Sequence, residues 1–184
     1  MRCISNATYN YEMAYRQLAG LALLLRIVWL YPIGLPAQTV FVVRHAERVG
    51  EPDPPLNQDG ERRAQALARL LSDARVTHFY TSEALRSQQT AEPTARMAGK
   101  KIQVLKDKDV DGIIHSVKAA MQPGESALVV GHRSTVPLIV KALGGGDIPE
   151  LGSAEYDRLV VLTLLPKGEA RAVTLRYGAE SDKP

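Results

Sequence analysis

Between residues 39 and 177 the chain alternates short apolar runs with longer stretches in which apolar residues recur every three or four positions. Thr39-Val-Phe-Val-Val43 is a continuous apolar and β-branched run, and Ala127-Leu-Val-Val130 is another. Runs of this kind, bounded by polar residues, are strands buried on both faces of a mostly parallel sheet. Thr77-His-Phe-Tyr-Thr81 and Lys101-Ile-Gln-Val-Leu105 read as two further strands. Helices are expected in between. Asn57 is placed as an N-cap with Asp59 and Glu61 in the first turn, and Ala64, Leu67, Ala68, Leu70 and Leu71 form the apolar stripe that follows. A second helix runs from Ala84 to about Met97 and stops at Gly99; Pro93 inside it predicts a kink or a break. A short third helix covers Asp111 to Met121, and a fourth Thr135 to Leu143, ending at Gly144-Gly-Gly146. Residues 159–165 and 170–177, joined by a turn at Pro166-Lys-Gly168, predict an antiparallel hairpin at the sheet edge. The pattern is that of a three-layer α/β/α sandwich with a mostly parallel central sheet.

Residues 1–37 break this pattern. Leu18 to Ala37 is long and apolar, follows Arg16, and ends in small and turn-forming residues. That is the layout of a secretory signal peptide cleaved near Ala37. Arg26 within the apolar centre and the long approach to it fit less well, and translation from Met13 would give a more usual leader. The alternative is an uncleaved membrane anchor over 18–36. Either way 1–37 is set apart from the domain at 38–184, and a periplasmic or secreted location is expected, or an inner-membrane anchored one.

Composition narrows the chemistry. The formal charge is +3, of which Arg2, Arg16 and Arg26 against Glu12 account for +2, leaving +1 for the rest. A nearly neutral body offers no broad basic face for nucleic acid. The single cysteine, Cys3, allows neither an intrachain disulfide nor a cysteine metal cluster. Glu47 is read as solvent-facing, with orientation of Arg44 or His45 as the alternative; His115 is read as solvent-facing, Tyr156 as packing rather than catalysis, and His78 as a strand residue beside Tyr80.

Two strands end alike: the first runs into Arg44-His45, the fourth into Gly131-His132. Parallel neighbours would deliver both histidines to the carboxyl edge, where α/β sheets bind ligands. A third strand ends at Ser82, with Arg86 four residues on. Arg44 and Arg86 can present planar bidentate donors to a phosphoryl group. A neutral imidazole can take the phosphoryl as phosphohistidine, and a second histidine can steady the developing charge.

In Arg44-His45-Ala46-Glu47, Leu56-Asn-Gln-Asp-Gly60, Thr81-Ser82-Glu-Ala-Leu-Arg86-Ser-Gln-Gln89-Thr90-Ala91 and Gly131-His132-Arg-Ser-Thr135, the chain resembles the histidine phosphatase superfamily, which includes phosphoglycerate mutases and acid phosphatases. The resemblance implies a phosphoglycerate mutase-like fold over about 39–178. It implies His45 as the nucleophile that becomes phosphorylated, with Arg44, Arg86 and His132 binding phosphate, and no metal or other cofactor in the step. The expected substrate is a small phosphorylated compound or a phosphoprotein, including protein phosphohistidine. The alternatives are an idle phosphate-binding or scaffold domain, or a mutase-type phosphotransferase. Asn57 stands where the family has threonine, Ala84 where it has leucine, and Arg133 where close relatives have serine; Arg133 would add charge at the pocket or face solvent. No residue matches the family's acid for the leaving group. Asp107, Asp109 and Asp111 lie in the right region.

Overall fold

A computed structural model describes residues 37–50, 52–165 and 169–181. The expected leader or anchor at 1–37 lies outside these residues, Ala37 excepted, as does the turn at 166–168. The strands are β1 (Gln38–Arg44), β2 (His78–Ser82), β3 (Gln103–Leu105), β4 (Ser126–Gly131), β5 (Arg158–Leu164) and β6 (Ala170–Arg176). The helices are α1 (Gln58–Leu70), α2 (Leu85–Ala98), α3 (Val110–Ala120) and α4 (Thr135–Ala142). They form one sheet in the order β3-β2-β4-β1-β5-β6. β3, β2, β4 and β1 run parallel, β5 lies antiparallel against β1, and β6 closes the edge antiparallel to β5.

Alternation along β1 sets the layers. Val40 and Val42 pack with Ile113 and Val117 of α3 and Ile139 and Val140 of α4. Val43 turns to the other side, with Leu67 of α1 and Ala91 and Ala95 of α2. β4 is buried along its whole length, which explains its unbroken apolar run. β3 shrinks to three residues because it is an edge strand, exposed at Gln103 and Val104.

Asn57 caps α1, accepting from the Gly60 amide at 2.9 Å. Gly99 ends α2 in the left-handed region at φ 63°, as its position suggested. Pro93 does not break α2, which runs through it. A proline removes one amide donor, and Ala91, Thr94 and Ala95 around it are buried and hold the turn against the sheet.

Gly60 is required by close approach. A Cβ there would stand 2.2 Å from the Glu47 carbonyl oxygen, whose other neighbour is the Asn57 amide at 3.0 Å. Gly60→Ala would therefore push α1 away from the loop that follows His45. The expected loss is about 1–3 kcal/mol of stability, read as a lower urea midpoint with unchanged slope. An unchanged midpoint would show that the contact yields freely.

Candidate functional site

The register places three strand ends together. Arg44 pairs with Gly131 across β1 and β4, and Thr81 with Val130 across β2 and β4. The His45 amide continues the ladder by donating to the Gly131 carbonyl at 2.9 Å. His45 and His132 thus emerge side by side, their ring centroids 5.4 Å apart, and both are buried.

The geometry of His45 fixes its chemistry. Nδ1 lies 2.8 Å from the Ala46 carbonyl oxygen, which can only accept, so Nδ1 carries the proton. Nε2 is then the lone-pair nitrogen. Burial, then the charges of Arg44, His132 and Arg86, hold the pKa down at about 3. The ring is neutral and nucleophilic throughout the physiological range.

The two arginines are anchored alike. Arg44 Nη1 donates to the carbonyls of Gly152, Ser153 and Glu155 at 3.1, 2.9 and 3.0 Å. Arg86 Nη1 donates to Asp53 at 3.0 Å. In both, Nε is buried and has no acceptor among the described residues. Each guanidinium is therefore held by one corner while a buried N–H remains for an oxyanion, and an unmatched buried donor is costly. The Tyr156 ring lies 4.0 Å from Arg44 Cζ and 6.0 Å from the His45 ring, which makes it a wall of the site and corrects its reading as a packing residue alone.

His132 is held through its backbone, whose amide donates to Thr135 Oγ1 at 2.8 Å. Its Nε2 stands 2.7 Å from Asp107 Oδ1 and 2.9 Å from Ser82 Oγ. Ser82 in turn donates to Ser87 Oγ at 3.2 Å, which leaves Ser82 free to accept. The consistent assignment is an Nε2–H shared between Asp107 and Ser82. Burial presses the His132 pKa down, the Asp107 carboxylate opposes that, and Arg86 and Lys108 reinforce it.

The three aspartates are now distinguished. Asp107 is in the site. Asp109 is the N-cap of α3, accepting from the Gly112 amide at 2.8 Å, and Asp111 is an exposed residue of its first turn. The tight turn Lys106–Asp109 presents Asp107 and forces Lys108 to φ 61°, an unusual conformation for a side-chain-bearing residue. Arg133 faces solvent in a pair with Glu150 at 3.1 Å, yet its charge still acts on Arg44. His115 is exposed, and His78 stacks on Tyr80 while bonding Glu125 at 2.9 Å.

Glu47 is corrected. It does not face solvent, and its carboxylate contacts neither Arg44 nor His45. Both its oxygens accept from Arg63 Nε at 2.9 Å, and Arg63 is buried in α1. A signal for this was present: Gly60, Arg63, Ala64 and Leu67 share one helical face, and a charge inside an apolar stripe calls for a buried partner. Tyr156 and Asp107 carried no such signal, being 112 and 63 residues from Arg44.

Residues 38–111 match the family model of the histidine phosphatase superfamily, branch 1. Over these residues the chain is similar to the histidine phosphatase superfamily. A relative from Yersinia enterocolitica, named "probable phosphoglycerate mutase GpmB", is 39% identical over 71 residues, 34% of this chain and 33% of that protein. Its namesake from Photorhabdus laumondii is 35% identical over 68 residues, 33% of this chain and 32% of that one. The chain thus aligns with about a third of the length of the curated relatives it matches. Among solved structures, the protein histidine phosphatase SixA complexed with tungstate superposes with a TM-score of 0.61 at 21% identity, over 75% of this chain and 96% of that one. A mycobacterial glucosyl-3-phosphoglycerate phosphatase gives 0.59 at 14%, over 78% and 100%. At these identities the structural likeness is one of fold. The described residues contain no group of three or more His, Cys, Asp or Glu placed to hold a metal ion.

Proposed function

We propose that the chain is a phosphatase that hydrolyses phosphomonoesters through a phosphohistidine at His45. The observation that carries this is the His45 ring, neutral, with Nδ1–H spent on Ala46 and Nε2 left as the nucleophile beside two arginines with unmatched buried N–H groups. In the first step Nε2 attacks phosphorus, the P–O bond to the leaving group breaks, and the leaving oxygen takes a proton. Arg44 and Arg86 meet the charge on the phosphoryl oxygens. In the second step water attacks phosphorus, the P–N bond breaks, inorganic phosphate leaves, and neutral His45 returns.

The proton comes from the Asp107–His132 pair. In the empty site His132 is kept neutral by burial and its cationic neighbours. A bound phosphoryl dianion favours an imidazolium at His132, because it attracts the positive charge. The pair then holds one proton for the leaving oxygen and recovers it from the attacking water. This favours alkyl phosphomonoesters, whose alkoxide leaving groups need a proton, over phosphohistidine in proteins, whose leaving group is already good. The tungstate bound by SixA, an oxyanion of phosphate's shape, supports the phosphate reading of the shared fold.

The test uses the full-length chain with chelator present. Para-nitrophenyl phosphate and a simple alkyl phosphate should both turn over. Asp107→Asn should lower kcat/KM for the alkyl ester by roughly 10²–10⁴ and for the nitrophenyl ester far less. Equal losses on both would remove Asp107 from proton transfer. Absence of turnover in the wild type on both esters would overturn the phosphomonoesterase reading.

A further inference from the structure

Arg86 is held by a residue that no motif marks. Asp53 sits in the segment Pro52-Asp53-Pro54-Pro55, on the loop between His45 and α1. Its Oδ1 accepts from Arg86 Nη1 at 3.0 Å, and Oδ1 and Oδ2 each lie 3.1 Å from the Leu85 amide. α2 has no cap of its own, since Ala84 at its N-cap has no side chain to offer. One carboxylate from a distant loop therefore caps the helix and fixes the phosphate-binding arginine it carries. The loop is joined to α2 twice more. The Ala46 amide donates to Thr90 Oγ1 at 2.9 Å, and the Leu56 amide to Gln89 Oε1 at 2.8 Å.

We infer that Asp53 is a positioning residue for phosphate binding: it holds the Arg86 guanidinium by Nη1 so that the buried Nε edge stays presented to the phosphoryl group. This rests on the reading of Arg86 as a phosphate ligand. The ion pair itself adds little to folding, because Asp53 is half exposed and pairs of that kind contribute little. No other described side chain holds the Arg86 guanidinium. Released from Asp53, a long flexible arginine must be ordered anew each time a ligand binds. An opposing effect exists, since a carboxylate near a phosphate site repels a dianion. It is the weaker one here. Asp53 lies on the solvent side of Arg86, where water and salt screen it, and it engages a different corner of the guanidinium from the one left open.

The experiment is titration of the full-length chain with inorganic phosphate by calorimetry, followed by kcat and KM on para-nitrophenyl phosphate. Asp53→Ala should weaken phosphate binding about three- to tenfold and raise KM by a similar factor, with kcat nearly unchanged. Asp53→Asn keeps an oxygen acceptor for Leu85 and Arg86 and should lie between wild type and alanine; it also serves should the alanine variant fail to fold. In an Arg86→Ala background, Asp53→Ala should add nothing, because both act through one guanidinium. A merely structural cap would instead lower stability equally in both backgrounds and leave phosphate affinity alone. Unchanged or tighter phosphate binding in Asp53→Ala, with Arg86→Ala clearly weakened, overturns the positioning role while sparing the phosphate site. Unchanged binding in Arg86→Ala itself overturns both.

Discussion

Replacing His45 by alanine is expected to lower turnover of para-nitrophenyl phosphate by a factor on the order of 10⁴–10⁶, the range seen when a covalent nucleophile is removed. No neighbour can substitute. His132 is the nearest imidazole, with ring centroids 5.4 Å apart, but its Nε2 is engaged by Asp107 and Ser82. Phosphate binding should survive, because Arg44 and Arg86 are anchored to Gly152, Ser153, Glu155 and Asp53 rather than to His45. Turnover undiminished in the variant would sink the covalent mechanism. The same residue gives the protein a pH signature. The folded His45 protonates only at about pH 3, whereas in the unfolded chain it protonates near 6.5. Between these values the unfolded state binds the extra proton, so stability falls as pH drops from 6.5 toward 3. The loss is on the order of 5 kcal/mol across that window, and the alanine variant should lack that component in urea melts at stepped pH.

Glu47→Ala is expected to destabilise the fold by about 3–5 kcal/mol, because it leaves Arg63 charged and buried without a carboxylate. Burial alone would press the Arg63 pKa down, and the hydrogen bonds and charge of Glu47 more than reverse this. Arg63 Nη1 also donates to the carbonyls of Tyr177 and Ala179, each at 2.9 Å, so the pair joins the loop after β1, α1 and the segment after β6. Replacing both partners, Glu47→Ala with Arg63→Met, should recover most of the loss, since no uncompensated charge remains. Urea denaturation of the two variants decides the matter. If the double variant is no more stable than Glu47→Ala alone, buried charge is not the cause.

What the sequence disclosed follows from where the information lay. β1 and β4 were legible because strands buried on both faces admit only apolar residues, and the polar residues that end them stood out for that reason. Asn57 was legible because capping is local, three residues from its partner. Asp109 looked equivalent to Asp107 because an N-cap and an acid in a pocket are the same residue type; only the tight turn at Lys106–Asp109 separates them. Glu47 was misread because its partner lies sixteen residues away on another element, and the charge within the α1 apolar stripe marks Arg63 as needing a partner without naming which. Tyr156 was read as packing because nothing local records that the chain returns to Arg44 after seven secondary-structure elements. Pro93 misled in the other direction, since local propensity yielded to tertiary packing.

The three carbonyls that grip Arg44 come from residues 108 to 111 positions further along the chain. They are held in turn by Glu155, whose carboxylate binds the Gly152 amide, Arg158 of β5 and Arg176 of β6. In the proposed mechanism, Arg44 therefore acquires its working shape only when the last hairpin has docked beside the first strand. A nascent or partly unfolded chain, even one with β1 and β4 already paired, would hold its histidines in place and still be inert. Phosphate turnover thus reports completion of the entire topology, and recovery of activity during refolding should lag behind recovery of helix signal rather than track it.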